Sequence, residues 1–154
     1  MKTTQHGAMH FGGLVGVPAW GFRGHNITAR TLSPGRCVLW HLVEGNTVVD
    51  ITMSTNIGVP KARTLALGVV YNTITPNNTA DDDGYVVAMG YLNKLYVTGT
   101  VAISDWLVLN GTPIGSARTA TASEVGRGYC FAIADQTHSG AASDIRAFVL
   151  PMRY

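Results

Sequence analysis

Short apolar runs of the kind that form β-strands recur along the chain from residue 37 onward. In the segment LYVTGTVAI, at 95–103, large apolar residues alternate with small or polar ones, which is the period that a strand with one buried face requires. Two other runs, RGYCFAIAD and IRAFVLPMRY, are apolar at successive positions, as is typical of strands that are buried on both faces. The pattern predicts a series of short strands.

Turn signals separate these runs at intervals that fit hairpins. The residues EGN lie between CVLWHLV and TVVDITM, and Asn93-Lys94 and Asn110-Gly111 each have the length of a two-residue hairpin turn. The pattern TASE, at 121–124, matches a helix capping box, but the glycines of VGRG follow at once, so we expect a turn there. The sequence therefore predicts an all-β fold, a small barrel or sandwich, over residues 37–154.

Residues 1–36 differ in composition from this β domain. They contain basic residues but no Asp or Glu, and their aromatic residues are scattered among glycines and prolines without a regular period. Such a segment rarely folds alone, so we expect an extended arm that docks on a neighbouring surface through Phe11, Trp20 and Phe22. Arg23 and Arg30 are then expected to pair with acidic residues at the rim of that contact. The alternative is that the segment packs on its own domain as an irregular strand.

Composition limits the possible partners. The chain has 154 residues, of which 46% are apolar and only 13% are charged, so we expect one domain with much of its surface covered by a partner. A net charge of +2 without a dense basic patch argues against nucleic-acid binding. No apolar run has the length of a membrane span, and the first residues do not have the pattern of a cleaved signal peptide. Cys37 and Cys130 are expected to be separate buried thiols, with a disulfide as the less favoured alternative.

No group of residues has the spacing of a catalytic, metal or cofactor site. Ser104-Asp105 lacks a Gly-x-Ser-x-Gly context and precedes an apolar run, as a turn before a strand does. His6 and His10 would share a face only on a helix, which the nearby glycines disfavour. Asp81–Asp83 lack the alternating acids and the distant Glu of a calcium loop, so we expect a solvated loop. The sequence therefore predicts that the protein is not an enzyme and needs no metal or cofactor.

The order of strands and turns over residues 65–150 resembles the small β-rich capsid decoration, or cement, proteins of tailed bacteriophages. The family pattern has a Gly-Val-Ala-like strand, a turn-led Gly-Asp-x-Leu-Val strand, a Gly-x-Ala-Leu strand and a closing Ile-x-Val-x-Leu strand. The corresponding residues here are Gly68–Val70, Ser104–Val108, Gly128–Ala132 and Ile145–Leu150. Ser104 stands where the family usually has Gly.

The resemblance implies a structural role in a phage virion. Proteins of this kind have a small β-tulip-like barrel, bind the major capsid protein on the outer surface of the head, often as homotrimers, and brace the joints between capsomers. It also implies no cofactor, no membrane and no direct contact with nucleic acid. Two alternatives stay open: a tail, fibre or host-recognition module of a virion, and an enzyme whose groups meet only in space, such as His41 with Asp50 or Asp105.

Overall fold

The structure is a computed structural model that describes residues 9–11, 19–40, 49–52, 66–110 and 112–151. Within these residues lie ten strands and one short helix, which confirms the predicted all-β class. The strands are β1 (Met9–Phe11), β2 (Ala19–Asn26), β3 (Cys37–Trp40), β4 (Val49–Thr52), β5 (Ala66–Val70), β6 (Asp83–Val97), β7 (Trp106–Asn110), β8 (Ser116–Thr119), β9 (Ala132–Ala134) and β10 (Ser143–Val149), and the helix α1 (Ala122–Gly126) lies between β8 and β9.

The long strand β6 is the centre of the fold because its two halves belong to two rings of strands. Its first half pairs with β2 and β5, and the order β2-β4-β3-β5-β6 returns to β2, which closes a five-stranded barrel. Its second half pairs with β10, and the order β6-β10-β9-β7-β8 returns to β6 through the pair Val97 and Ala117. Closure of this kind satisfies backbone groups that an open sheet would leave at its edges.

Two clusters of buried side chains form the described core. The larger cluster includes Leu39, Val69, Val87, Leu107 and Ile145, and the smaller one consists of Leu32, Val38, Val70, Ile74 and Val86 with Phe22 packed against it. The neighbours Val69 and Val70 belong to different clusters, so β5 is buried on both faces. Each fully buried side chain of this size contributes roughly 1.5–3 kcal/mol. The smaller cluster can therefore hold the loops that carry Leu32 and Ile74 against the barrel.

Cys37 and Cys130 are free thiols, as the sequence predicts. Cys37 lies in the larger core cluster, and its burial raises the pKa of its thiol. Burial also raises the pKa of Cys130, which is half-buried. Cys37 therefore acts as a small apolar side chain of the core.

Residues 19–36 form strand β2 and a segment packed on the sheet, and not part of the arm predicted for residues 1–36. Strand β2 pairs with β6 from Ala19 to His25, and Ala19 and Asn26 are buried. Farther along, the Arg36 guanidinium stacks 3.6 Å from the centre of the Tyr96 ring and donates a hydrogen bond to the Ile114 carbonyl. The alternative prediction, that this segment packs on its own domain as an irregular strand, therefore fits β2. An arm stays a prediction for residues 1–18, of which only β1 is described.

The segment TASE forms a one-turn helix rather than the predicted turn. Thr121 and Glu124 make both hydrogen bonds of a capping box at the start of α1. In addition, the Arg118 guanidinium on β8 donates hydrogen bonds of 2.9 and 2.7 Å to the two carboxylate oxygens of Glu124. The glycines at 126 and 128 limit the helix to Ala122–Gly126, but this ion pair and the cap are sufficient for a single turn. No helix in the described part of the chain is long and apolar enough to cross a membrane.

The Arg118–Glu124 pair should make the stability of the protein depend on pH. The hydrogen bonds that Glu124 accepts from Arg118 lower the pKa of Glu124 from 4.5 to about 2. A carboxylate with a lowered pKa stabilises the folded state above its unfolded pKa, and this contribution is lost as the pH falls through the folded pKa. Arg118 is partly exposed, so we expect the contribution of the ionised pair at pH 7 to be about 2 kcal/mol rather than the full linkage value.

Glu124→Gln tests this expectation because Gln retains the size and the capping geometry of Glu without the charge. Urea unfolding of both proteins should show the variant to be less stable at pH 7 by about 2 kcal/mol. The difference should shrink as the pH is lowered from 4.5 towards 2. A difference that stays constant over this range would show that the charge of Glu124 is not what stabilises the fold.

Candidate functional site

A row of large apolar and aromatic side chains crosses the outer face of the sheet. Trp106 on β7 lies opposite Ile133 on β9, Ile133 lies opposite Phe148 on β10, and Phe148 lies opposite Tyr91 on β6. Two positions before Tyr91 on the same strand, Met89 lies opposite Trp20 on β2. Directly opposed residues share a face of the sheet. We call this set the outer row: Trp20, Met89, Tyr91, Trp106, Ile133 and Phe148.

The outer row is accessible in the folded chain. Trp106, Phe148 and Trp20 are 38%, 39% and 41% exposed, and Met89, Tyr91 and Ile133 are half-buried. Outward positions of a strand at the surface are usually polar, so a row of this kind across five strands is unusual for a face that meets only water. Exposed apolar side chains grouped in this way are typical of a contact with another macromolecule.

Charged groups at the border of the outer row are paired with one another. The Tyr91 hydroxyl donates a 2.7 Å hydrogen bond to Asp135, and this bond raises the pKa of Tyr91. Arg146 Nε lies 3.7 Å from the same carboxylate. An aromatic centre with an internally neutralised polar border is typical of a protein–protein contact, where aromatic residues carry most of the binding energy.

The five predicted partner-binding residues have different environments. Trp20 lies in the outer row, whereas the Phe22 side chain packs against the smaller core cluster of its own chain. Arg23 pairs with Asp83 at 3.2 Å, and Arg30 is exposed. Phe11 is described only as the last residue of β1, and nothing is described of its side chain. The four residues whose side chains are described thus lie in different environments, and the contact of all five with a partner stays a prediction.

Ser104 and Asp105 form the turn before β7 that the sequence predicts. The backbone of Ser104 has a φ of 71°, in the left-handed region that favours glycine, at the position where the decoration-protein pattern has Gly. Asp105 accepts hydrogen bonds from the Ala102 backbone N–H and the Thr119 hydroxyl, both at 2.9 Å. Asp105 therefore fastens the turn to β8. His41, the suggested partner of Asp105 or Asp50, lies outside the described residues.

A cluster of His25, Asp82 and Asp83 was not predicted from the sequence. His25 is near the end of β2, and Asp83 begins β6 at the position directly opposite. The His25 Nδ1 atom lies 2.9 Å from Asp83 Oδ1 and 3.7 Å from Asp82 Oδ1. The predicted solvated loop at Asp81–Asp83 thus has one exposed acid, Asp81, and two half-buried acids that face a histidine.

Comparison with known proteins gives a similarity of fold. No protein-family model and no curated protein sequence matches this chain. Among solved structures, it is similar to the head fiber gp8.5 N base of bacteriophage phi29, with a TM-score of 0.53 and 12% sequence identity. The similarity covers 87% of this chain and 96% of that chain. At this identity the similarity is evidence of a shared arrangement of strands, and the neighbour itself is a phage head fiber protein.

Proposed function

We propose that this chain is a structural protein of a phage virion that binds the major capsid protein on the outer surface of the head. It acts there as a homo-oligomer, a trimer in the simplest arrangement, and stabilises the head by bridging capsomers. The proposal assigns no catalytic step, cofactor or nucleic-acid contact to the chain. The single observation that carries it is the similarity of fold, over 87% of the chain, to the base of a phage head fiber.

The surface chemistry supports this proposal independently of the fold. A chain with 13% charged residues and an exposed outer row has much apolar surface to bury against a partner. A partner that binds only the folded chain stabilises it further by mass action. The paired charges of Asp135 and Arg146 leave the border of the outer row nearly neutral, so we assign the outer row to an apolar, uncharged patch of the major capsid protein.

The copy number of the chain in purified virions tests the proposal. Quantitative mass spectrometry of virions from the source should give a ratio to the major capsid protein that is close to stoichiometric. A handful of copies per particle would instead favour the second candidate, a tail or fibre module, which the fibre origin of the structural neighbour supports. Absence from the virion would contradict both candidates.

Substitutions in the outer row test the assigned contact. In Trp106→Ser/Phe148→Ser, binding to heads assembled without this chain should fall at least about tenfold, because aromatic residues at the centre of an interface usually cost more than 1 kcal/mol when truncated. Both residues are also partly buried in the free chain, so the melting temperature should fall by a few degrees, and binding is compared well below that transition.

Val125→Ser is the matched control because Val125 is also 38% exposed but lies on α1, outside the outer row. It should bind as the unmodified chain does. Unchanged binding by the double variant, or an equal loss in Val125→Ser, would remove the outer row from the contact.

A further inference from the structure

The cluster of His25, Asp82 and Asp83 has ligand atoms of the type and spacing that divalent metals use. His25 Nδ1, Asp82 Oδ1 and Asp83 Oδ1 all lie within 4.8 Å of one another. Metal–ligand bonds of about 2.0–2.2 Å place neighbouring ligand atoms roughly 3–3.5 Å apart. The distances of 2.9 and 3.7 Å from His25 Nδ1 to the two carboxylates are already close to that spacing. Small side-chain adjustments would therefore place one ion between the three atoms.

The second oxygen of each carboxylate is held by a hydrogen-bond donor. Asp82 Oδ2 accepts a 2.9 Å hydrogen bond from the Asn78 backbone N–H, and Asp83 Oδ2 pairs with the Arg23 guanidinium at 3.2 Å. The Oδ1 atoms of both residues are thereby turned towards His25. Ligating carboxylates in metal sites are usually oriented by partners of this kind, and these partners fix the ligands before an ion binds.

The backbone under the cluster is equally constrained. Asn26, which follows His25, is fully buried, and its backbone N–H donates a 2.8 Å hydrogen bond to the Asp82 carbonyl. Its side-chain amide donates to the carbonyls of Arg30 and Thr75 and accepts from Thr28. Each polar atom of this buried side chain thus has a partner. Through its backbone bond to Asp82, Asn26 therefore holds the end of β2, which carries His25, against the segment that carries Asp82 and Asp83.

We propose that His25 Nδ1, Asp82 Oδ1 and Asp83 Oδ1 bind one divalent transition-metal ion of the Zn²⁺ class. A mixed set of one imidazole nitrogen and two carboxylate oxygens suits such an ion better than Ca²⁺ or Mg²⁺, which favour oxygen ligands alone. The two carboxylates offset most of the charge of the ion, although Asp83 is also paired with Arg23. The ligand side chains are 19–30% exposed, so solvent reaches the site. Binding requires neutral His25 with its proton on Nε2, and the ion replaces the hydrogen bond between Nδ1 and Asp83.

A bound ion would join β2 to the loop before β6 at the end of the barrel. His25 on β2 and Asp83 on β6 belong to the two strands whose pairing closes the five-stranded ring, and Asp82 directly precedes β6. An ion that binds only the folded chain raises its stability in proportion to the logarithm of the ion concentration. The inference does not depend on a role in the virion, because it concerns the isolated chain.

Metal titration of the full chain tests the proposal. Isothermal titration calorimetry with Zn²⁺ should show a site of one-to-one stoichiometry whose affinity falls at least tenfold in His25→Gln, Asp82→Asn and Asp83→Asn. Asp81→Asn is the matched control, because Asp81 is an exposed acid in the same loop, and it should retain the affinity. Thermal melting without metal checks that each variant is folded.

Two further measurements separate this site from other ways of binding a cation. With Co²⁺ as the probe, the visible absorption of a nitrogen-ligated ion should be present in the Asp81→Asn variant and lost in the His25→Gln variant. Zn²⁺ should raise the melting temperature of the unmodified chain but not that of Asp82→Asn. The proposal is overturned if His25→Gln binds Zn²⁺ as tightly as the unmodified chain. It is equally overturned if Ca²⁺ binds one-to-one with an affinity that His25→Gln leaves unchanged and Zn²⁺ does not bind.

Discussion

Deletion of residues 1–30 is expected to unfold the β domain, whereas deletion of residues 1–18 is expected to leave it folded. The longer deletion removes β2, which closes the five-stranded barrel and pairs with β6 from Ala19 to His25. It also removes the buried Asn26, which joins two loops. Without β2, the first half of β6 loses the backbone hydrogen bonds of one edge, and buried unpaired backbone groups are costly. The shorter deletion removes β1, which pairs with β2 outside the rings.

Circular dichroism and thermal melting of the two truncated proteins measure this difference. The protein that lacks residues 1–18 should melt cooperatively, and the protein that lacks residues 1–30 should show no cooperative transition. A cooperative transition in both would mean that β2 is dispensable for closure of the barrel.

The shorter truncation also tests the predicted arm. It removes Phe11 but retains Trp20 and the rest of the outer row. Binding of the truncated protein to heads assembled without this chain should be lost if the arm anchors the protein on the capsid. Retained binding would assign the contact to the outer row instead.

The strands with alternating or continuous apolar residues could be predicted from the sequence, and β2 could not. Segment 95–103 and the run at β7 are rich in Leu and Val, which give a strong strand signal. The run at β10 also predicts a strand, but only one face of β10 is buried, through Ile145, Ala147 and Val149, and not both faces as its continuous apolar run predicts. In β2, by contrast, the buried positions include Gly21, Gly24 and Asn26. Glycine and asparagine carry no hydrophobic signal, and a bulge between Trp20 and Gly21 shifts the register. The segment therefore has the composition of a loop although it forms part of the barrel.

The outer row and the cluster of His25, Asp82 and Asp83 could not be predicted from the sequence for a related reason. His25 and Asp83 are 58 positions apart, and only the pairing of β2 with β6 places them opposite each other. The outer row combines residues of five strands whose order in the sheet differs from their order in the chain. Phe148 occupies an outward position between the inward Ala147 and Val149, which the continuous apolar run around it does not indicate. Periodicity identifies the faces of a strand, but it does not identify the neighbouring strands.

Gly68→Ala should destabilise the protein more than any surface substitution. Gly68 lies in β5, and a Cβ atom placed there would overlap the Val87 carbonyl oxygen on the neighbouring strand β6. The obstructing atom belongs to the backbone, so a rotamer change cannot relieve the contact, and β5 must move away from β6. Both faces of β5 are packed, because Val69 and Val70 belong to separate core clusters. Any such shift therefore disturbs two clusters at once.

We expect a loss of about 3 kcal/mol, the upper end of the usual cost of overpacking a core, and a melting temperature lower by roughly 6–12 °C for a chain of this size. Gly126→Ala is the matched control, because Gly126 is the last residue of α1 and a Cβ there would meet no atom of another element within 4 Å. Its stability should change by less than about 1 kcal/mol, with a gain favoured because Ala restricts the unfolded chain. Equal stability of the two variants would contradict the close approach of β5 to β6, and with it the pairing on which closure of the barrel depends.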